Sequence, residues 1–163
     1  MHRVLTLGPP TSRMVAGVSG SINKRDKMKT EVSFKEGLFE EVSGKGVLVG
    51  CRCKQCGKVI FPIRKVCLNC LNRDMERLNL SRNGKLYSFT IVHMPSEHFQ
   101  PPYAIGWIEL PEGIRIFSQI RGWQEHPLKT GMEMELAIEK LWDEGEKEVI
   151  GYTFRPTLNR GGT

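Results

Sequence analysis

No uninterrupted apolar run in this sequence approaches the roughly 18 to 20 residues that a membrane span requires. A secretory leader is not expected either, because Pro9, Pro10 and Arg13 break any apolar stretch near the N-terminus. Cysteine is scarce. Five residues, four of them in paired C-x-x-C form, are too few and too clustered for the disulfide framework of a secreted protein. The pairs read instead as metal binding in a reducing compartment, which points to the cytoplasm. The common catalytic signatures are missing as well. There is no G-x-S-x-G, no P-loop, no G-x-G-x-x-G and no H-E-x-x-H. Nor is there an RNA-binding signature of the helical or sheet type.

The 163 residues suffice for one ordinary domain, or for a small module beside a compact one. The net charge of +6 is unevenly spread. Residues 1–30 carry six Lys/Arg against one Asp, and residues 51–85 carry nine basic against two acidic groups. Residues 86–163 reverse the balance, with seven basic and eleven acidic groups. Solvated faces account for such asymmetry as readily as a charged ligand does. Residues 1–30 are rich in Gly, Pro, Ser and Thr without periodicity, and are expected to be a disordered or partner-ordered arm. Met28 offers an alternative start. A short tail is expected over residues 159–163.

The segment 31–46 is expected to form an N-terminal helix. Ser33 and Glu36 have the spacing of a capping box. Phe34, Leu38 and Phe39 recur at helical spacing as one apolar stripe, a candidate partner contact. Ser43-Gly44-Lys45-Gly46 then ends the helix, and a strand leads into the cysteines.

Cys53-Lys54-Gln55-Cys56 and Cys67-Leu68-Asn69-Cys70 are separated by ten residues, beginning with Gly57, enough for two short strands with a turn. Each C-x-x-C turns two thiolates toward one point, and two such knuckles make a tetrahedral four-sulfur site. Cys53, Cys56, Cys67 and Cys70 are thus the expected ligands of one structural zinc in a ribbon over residues 47–80. All four positions are filled by protein, so nothing is left for water or substrate. Iron also suits such a site. A redox dithiol explains two matched pairs poorly. Cys51 fits a knuckle less well and reads as a spare thiol. The surrounding Arg52, Lys54, Lys58, Arg64 and Lys65 offset the −2 charge of a zinc tetrathiolate, or offer a landing surface for a phosphorylated ligand.

Beyond residue 85 strands dominate. Residues 86–94, 103–110, 114–120, 132–141 and 148–154 carry β-rich or alternating patterns separated by turn signals such as Pro111-Glu112-Gly113. Residues 132–141 also admit a helix, but the strict alternation over 132–136 favours a strand. Five strands in this length fit an OB-type barrel over residues 81–158. The fold class is therefore mainly β. The barrel raises single-stranded nucleic acid as an alternative ligand, with Phe89, Tyr103, Trp107, Phe117, Trp123, Arg115 and Arg121 as the relevant residues. This half of the chain is acidic, and the aromatics alternate as core residues do, so they are expected to pack the barrel. His93, Glu97 and His98 are the nearest approach to a catalytic group, and catalysis by this chain alone is not expected.

The order of motifs over residues 31–157 resembles one family. The pieces are FKEGLFEEV, RCKQCGKVIFPIRKVCLNC, GKLYSFTIVHMP, PPYAIGWIELPEGIRIFSQIRGW and GYTFRPT. The family comprises acyl-CoA-associated proteins with a rubredoxin-like zinc ribbon and an OB-fold barrel. Phe61-Pro62-Ile63-Arg64 departs slightly from its pattern of two prolines before the arginine. The resemblance implies that Cys53, Cys56, Cys67 and Cys70 bind zinc. It also implies an accessory subunit of a thiolase-superfamily enzyme in a hetero-oligomer, with a larger catalytic subunit holding the reactive cysteine and histidines. CoA or acyl-CoA is then a shared ligand, and Arg64 and Lys65 are candidate contacts for its phosphates. One branch of the family is the small subunit of benzoylsuccinyl-CoA thiolase in anaerobic toluene breakdown.

Overall fold

The computed structural model describes residues 29–157. Among the described residues the regular structure is ten strands, and there is no helix. They are β1 (Thr30–Ser33), β2 (Phe39–Val42), β3 (Lys45–Cys53), β4 (Val59–Ile60) and β5 (Met75–Asn79). These are followed by β6 (Asn83–Val92), β7 (Tyr103–Glu109), β8 (Arg115–Ile120), β9 (Glu133–Glu144) and β10 (Lys147–Pro156). No helix among them is long and apolar enough to cross a membrane.

Strands β6 to β10 close a five-stranded barrel in the order β6-β7-β8-β10-β9, with β9 returning to β6. Every pairing around it is antiparallel except that of β8 with β10. Alternation of side chains across each strand builds the interior. Along β7, Ala104, Gly106 and Ile108 are buried, while Trp107 and Glu109 are exposed. Leu86, Ile116, Ile120, Met134, Leu136 and Phe154 complete the barrel core. The alternation over 132–136 did mark a strand.

The expected N-terminal helix over residues 31–46 is not formed. Strand β1 instead runs parallel along β10, from Thr30 beside Lys147 to Ser33 beside Ile150. The Phe34 amide then donates to the Ile150 carbonyl at 2.7 Å. The Ser33 hydroxyl bonds the Lys35 carbonyl at 2.9 Å rather than a helix amide, so there is no capping box. Ser43 and Gly44, at φ 52° and 74°, form a two-residue turn that folds β2 back on β3. Positive φ at both central residues is the hairpin type whose twist matches its strands. A helix of three turns is marginal alone, and pairing with β10 and β3 outweighs it. Phe34, Leu38 and Phe39 therefore do not share a stripe. Leu38 is buried in its own chain, Phe39 is half-buried against the core, and Phe34 is exposed beside Trp142.

The second sheet is centred on β3. Its first half pairs with β2, and its second half with β4 and β5. The ribbon thus differs from expectation. The ten residues between the cysteine pairs hold only the two-residue β4, and the longer partner strand, β5, follows the second pair. Leu48, Val59 and Leu80 of this part join the barrel's core cluster, and Phe61 packs edge-on against Tyr152 at 5.7 Å between centroids. The expected arm, apart from Lys29 and Thr30, and the tail lie outside the described residues. Lys29 pairs with Asp143 at 2.7 Å, beside the start of β1.

Arg82 joins the two sheets. Its guanidinium donates to the carbonyls of Gly46, at the start of β3, and Leu136, on β9, the latter at 2.8 Å. The Leu136 amide returns a bond to the Arg82 carbonyl at 2.8 Å. Replacing Arg82 by Met leaves two carbonyls without their donors. The expected loss in urea unfolding is about 2 kcal/mol. An unchanged midpoint would show that this residue does not hold the sheets together.

Candidate metal centre

The four predicted sulfurs converge. Cys53, Cys56, Cys67 and Cys70 all place Sγ within 4.8 Å of one another. The Cys53–Cys70 separation is 3.5 Å and the Cys56–Cys67 separation is 3.6 Å. A tetrahedral zinc with Zn–S of about 2.3 Å sets sulfur–sulfur distances near ~3.8 Å. The donor set and its spacing therefore fit zinc.

The two halves of the site are built alike. In the first, the Gly57 amide donates to the Cys53 carbonyl at 2.8 Å and the Cys53 amide donates to the Lys58 carbonyl at 2.9 Å. In the second, Leu71 donates to Cys67 at 3.0 Å and Cys67 donates to Asn72 at 2.8 Å. The residue after each second cysteine is left-handed: Gly57 at φ 71° and Leu71 at φ 60°. That backbone turns amides back toward sulfur. The Asn69 amide lies 3.4 Å from the Cys67 sulfur.

These amides tune the thiols. A hydrogen bond from the Lys58 amide draws the Cys56 pKa down to about 6, against burial, with help from Asn69 and the neighbouring sulfurs. The matching Asn72 amide acts in the same sense on Cys70. There, burial and the sulfurs of Cys53, Cys56 and Cys67 outweigh it and push the value up to about 12. Negative charge cannot accumulate on clustered sulfurs without a cation to hold them. A divalent ion removes that obstacle and releases the protons.

Cys51 stands outside the group of four. It is buried in the ribbon, where its sulfur accepts the Arg64 amide at 3.3 Å. Arg64 and Lys65 are exposed just beyond that bond. Lys54 pairs with Asp74 at 3.2 Å. His98 lies flat on Trp142 at 4.2 Å, with Glu97 3.9 Å away. The barrel aromatics need correction. Trp107 and Phe117 are 44% and 47% exposed and Phe89 37%, so they are not interior packing. Trp123 packs against the core, and Tyr103 is half-buried beside Phe99. Arg82 went unnoticed in the sequence, because nothing local marks a residue whose partners lie more than thirty positions away.

Fold and site together define a class, a four-cysteine ribbon joined to a five-stranded OB-type barrel. A family model described as "ChsH2, rubredoxin-like zinc ribbon domain" matches residues 44–76. A second, "ChsH2, C-terminal OB-fold domain", matches residues 79–139. The chain belongs to the DUF35 family. A DUF35 domain-containing scaffold protein of Methanocaldococcus jannaschii is 39% identical over 140 residues, covering 83% of this chain and 95% of that relative. The benzoylsuccinyl-CoA thiolase subunit BbsA of Thauera aromatica is 34% identical over 137 residues, covering 82% and 94%. Among solved structures, one titled "Ltp2-ChsH2(DUF35) aldolase" is similar with a TM-score of 0.57 and 27% identity, covering 68% of this chain and 84% of that one.

Elemental analysis is expected to find about one zinc per chain. Cys67→Ser loses it, whereas Cys51→Ala keeps it. Protons compete with metal for sulfur, so zinc affinity falls as pH falls. The fall steepens below about 6, where Cys56 also holds a proton. Zinc transfer to a chromogenic chelator, followed across pH, checks the sign; retention that improves in acid contradicts it.

Proposed function

We propose that this chain is a non-catalytic accessory subunit of a thiolase-superfamily acyl-CoA enzyme, bound in a hetero-oligomer to a larger catalytic chain. The observation that carries the reading is the four-sulfur centre, whose ligands are all protein. A closed zinc site stabilises structure and has no open position for substrate. Reacting groups then come from a partner. The likeness to a protein named as a thiolase subunit and to one named as a scaffold supports that class of partner. Benzoylsuccinyl-CoA thiolase is the specific candidate, resting on the 34% identity to BbsA. Arg64 and Lys65 are exposed and have no ion-pair partner among the described residues, which suits them to the phosphates of CoA. Of the three residues first considered for partner contact, Phe34 is the one with its ring exposed. The ribbon over residues 47–80 and the barrel over 81–158 are taken as the two working units.

One observation favours a second reading, a single-stranded nucleic-acid binder: exposed aromatics on a barrel are stacking platforms. Such platforms work inside a positive groove, and Arg115 beside them is already paired with Glu109 at 3.4 Å.

Affinity purification from the native host should yield a larger thiolase-like chain in fixed ratio, and only the complex should turn over acyl-CoA. In that complex Arg64→Ala with Lys65→Ala is expected to raise KM for acyl-CoA roughly tenfold with kcat unchanged. A stable monomer that ignores such a chain rules the proposal out.

A further inference from the structure

The outer surface of β6, β7 and β8 carries several exposed aromatic side chains. Trp107 and Phe117 sit opposite each other on neighbouring strands, with ring centroids 5.2 Å apart. The next pair on the same face, Glu109 and Arg115, forms an ion pair, and the Arg115 guanidinium lies 3.4 Å above the Tyr87 ring. Tyr87, Trp107 and Phe117 are each nearly half exposed. At 150–250 Å² per ring, they present roughly 300 Å² of apolar surface in all. A single cross-strand pair is ordinary sheet stabilisation; a patch of about 300 Å² is the size of the largest apolar patch on a typical monomer, which is often functional.

The strip does not stop at the barrel. Arg115 and Ile114 form one wall of a groove of about 320 Å³ whose other side is Phe61, Leu68 and Lys58 of the ribbon. Leu68 and Leu71, both on the second cysteine knuckle, are 71% and 75% exposed. Leu71 adds an independent signal. It holds a left-handed backbone, which costs an L-residue with a side chain roughly 1–2 kcal/mol, at the position where the first knuckle has Gly57. A leucine held in this conformation with its side chain three-quarters exposed points to a functional role for that side chain.

Charge identifies the occupant. Arg115 is neutralised by Glu109, so the aromatic end offers no free cation to a phosphate backbone. Lys58, at the ribbon end of the groove, has no ion-pair partner among the described residues. A matching surface is apolar at its centre and carries carboxylates at one rim. We infer that the face of β6–β8, continued across the groove onto the second cysteine knuckle, is where the larger catalytic subunit docks, through an apolar patch edged by carboxylates. The inference rests on the accessory-subunit reading. The strip supplies the apolar centre of a standard interface, which takes about 800 Å² per partner.

The test uses the full chain and the purified thiolase-like chain of the same host. Trp107→Thr with Phe117→Thr keeps strand-forming residues on the barrel face. Leu68→Gln with Leu71→Gly relieves backbone strain on the knuckle. Each double variant should weaken binding roughly tenfold or more, while metal content and melting temperature hold or, for Leu71→Gly, rise. Met94→Gln, on an exposed side chain outside the strip, should bind as the unaltered chain does. Wild-type affinity in both double variants overturns the docking face and leaves the accessory-subunit reading standing. Failure of the unaltered chain to bind overturns both. Oligothymidylate binding that is lost in the Trp107/Phe117 variant assigns the face to nucleic acid and overturns the docking proposal.

Discussion

Four sulfurs meeting at one point hold a stretch of chain that has almost no apolar core of its own. The buried cluster of the ribbon is Cys51, Cys53, Ile60 and Cys67, with Cys70 and Met75 packed against it. Three of those four buried residues are cysteines, so sulfur takes the place that aliphatic side chains fill in the barrel. In such a module the free energy of binding metal is the free energy of folding. The tight turns at Gly57 and Leu71 depend on the gathered thiolates, while the short strand β4 is also anchored by Val59 and Ile60, both buried.

The barrel is held by a different force, and the joint between the two decides how they act together. Leu86, Ile108, Ile116, Ile120, Met134, Leu136 and Phe154 form a conventional core that needs no metal. Strand β3 spans the joint, with Leu48 and Val49 buried at one end and Cys51 and Cys53 at the other. Arg82 and the Phe61–Tyr152 contact then fix the angle between ribbon and barrel. A metal held by the four sulfurs would tie the second knuckle to the first, and through β3 to the barrel.

The metal site was legible because C-x-x-C is a local pattern and the chemistry follows from it directly. The strands of the barrel were legible for the same reason, as with 132–136. What the sequence hid was long-range. Phe34, Leu38 and Phe39 have helical spacing, and only pairing to β10 and β3, more than a hundred residues away in the first instance, makes them strand and turn. Alternation marks two faces without saying which is inside. In β7 the inward set is Ala104, Gly106 and Ile108, and the larger Ile105 and Trp107 face away. The interior takes bulky side chains as well, Phe154, Met134 and Leu136 among them, so size does not separate the two faces. Trp107 shares its face of β7 with Glu109, and Phe117 its face of β8 with Arg115; those charged companions were the signal that could have placed the aromatics.

That inversion bears on function. The gathered groups here are four cysteines placed to hold a cation, and the conspicuous side chains lie on an open face. Apolar surface left in water is unfavourable by about 25 cal/mol per Å², so several hundred Å² forfeits several kcal/mol of possible stability. That cost persists in an isolated chain and disappears when a partner covers the face. A closed metal centre beside an uncovered aromatic strip is consistent with a chain that is stable alone yet complete only in company. The same free energy that the monomer forgoes is what an assembly recovers on docking.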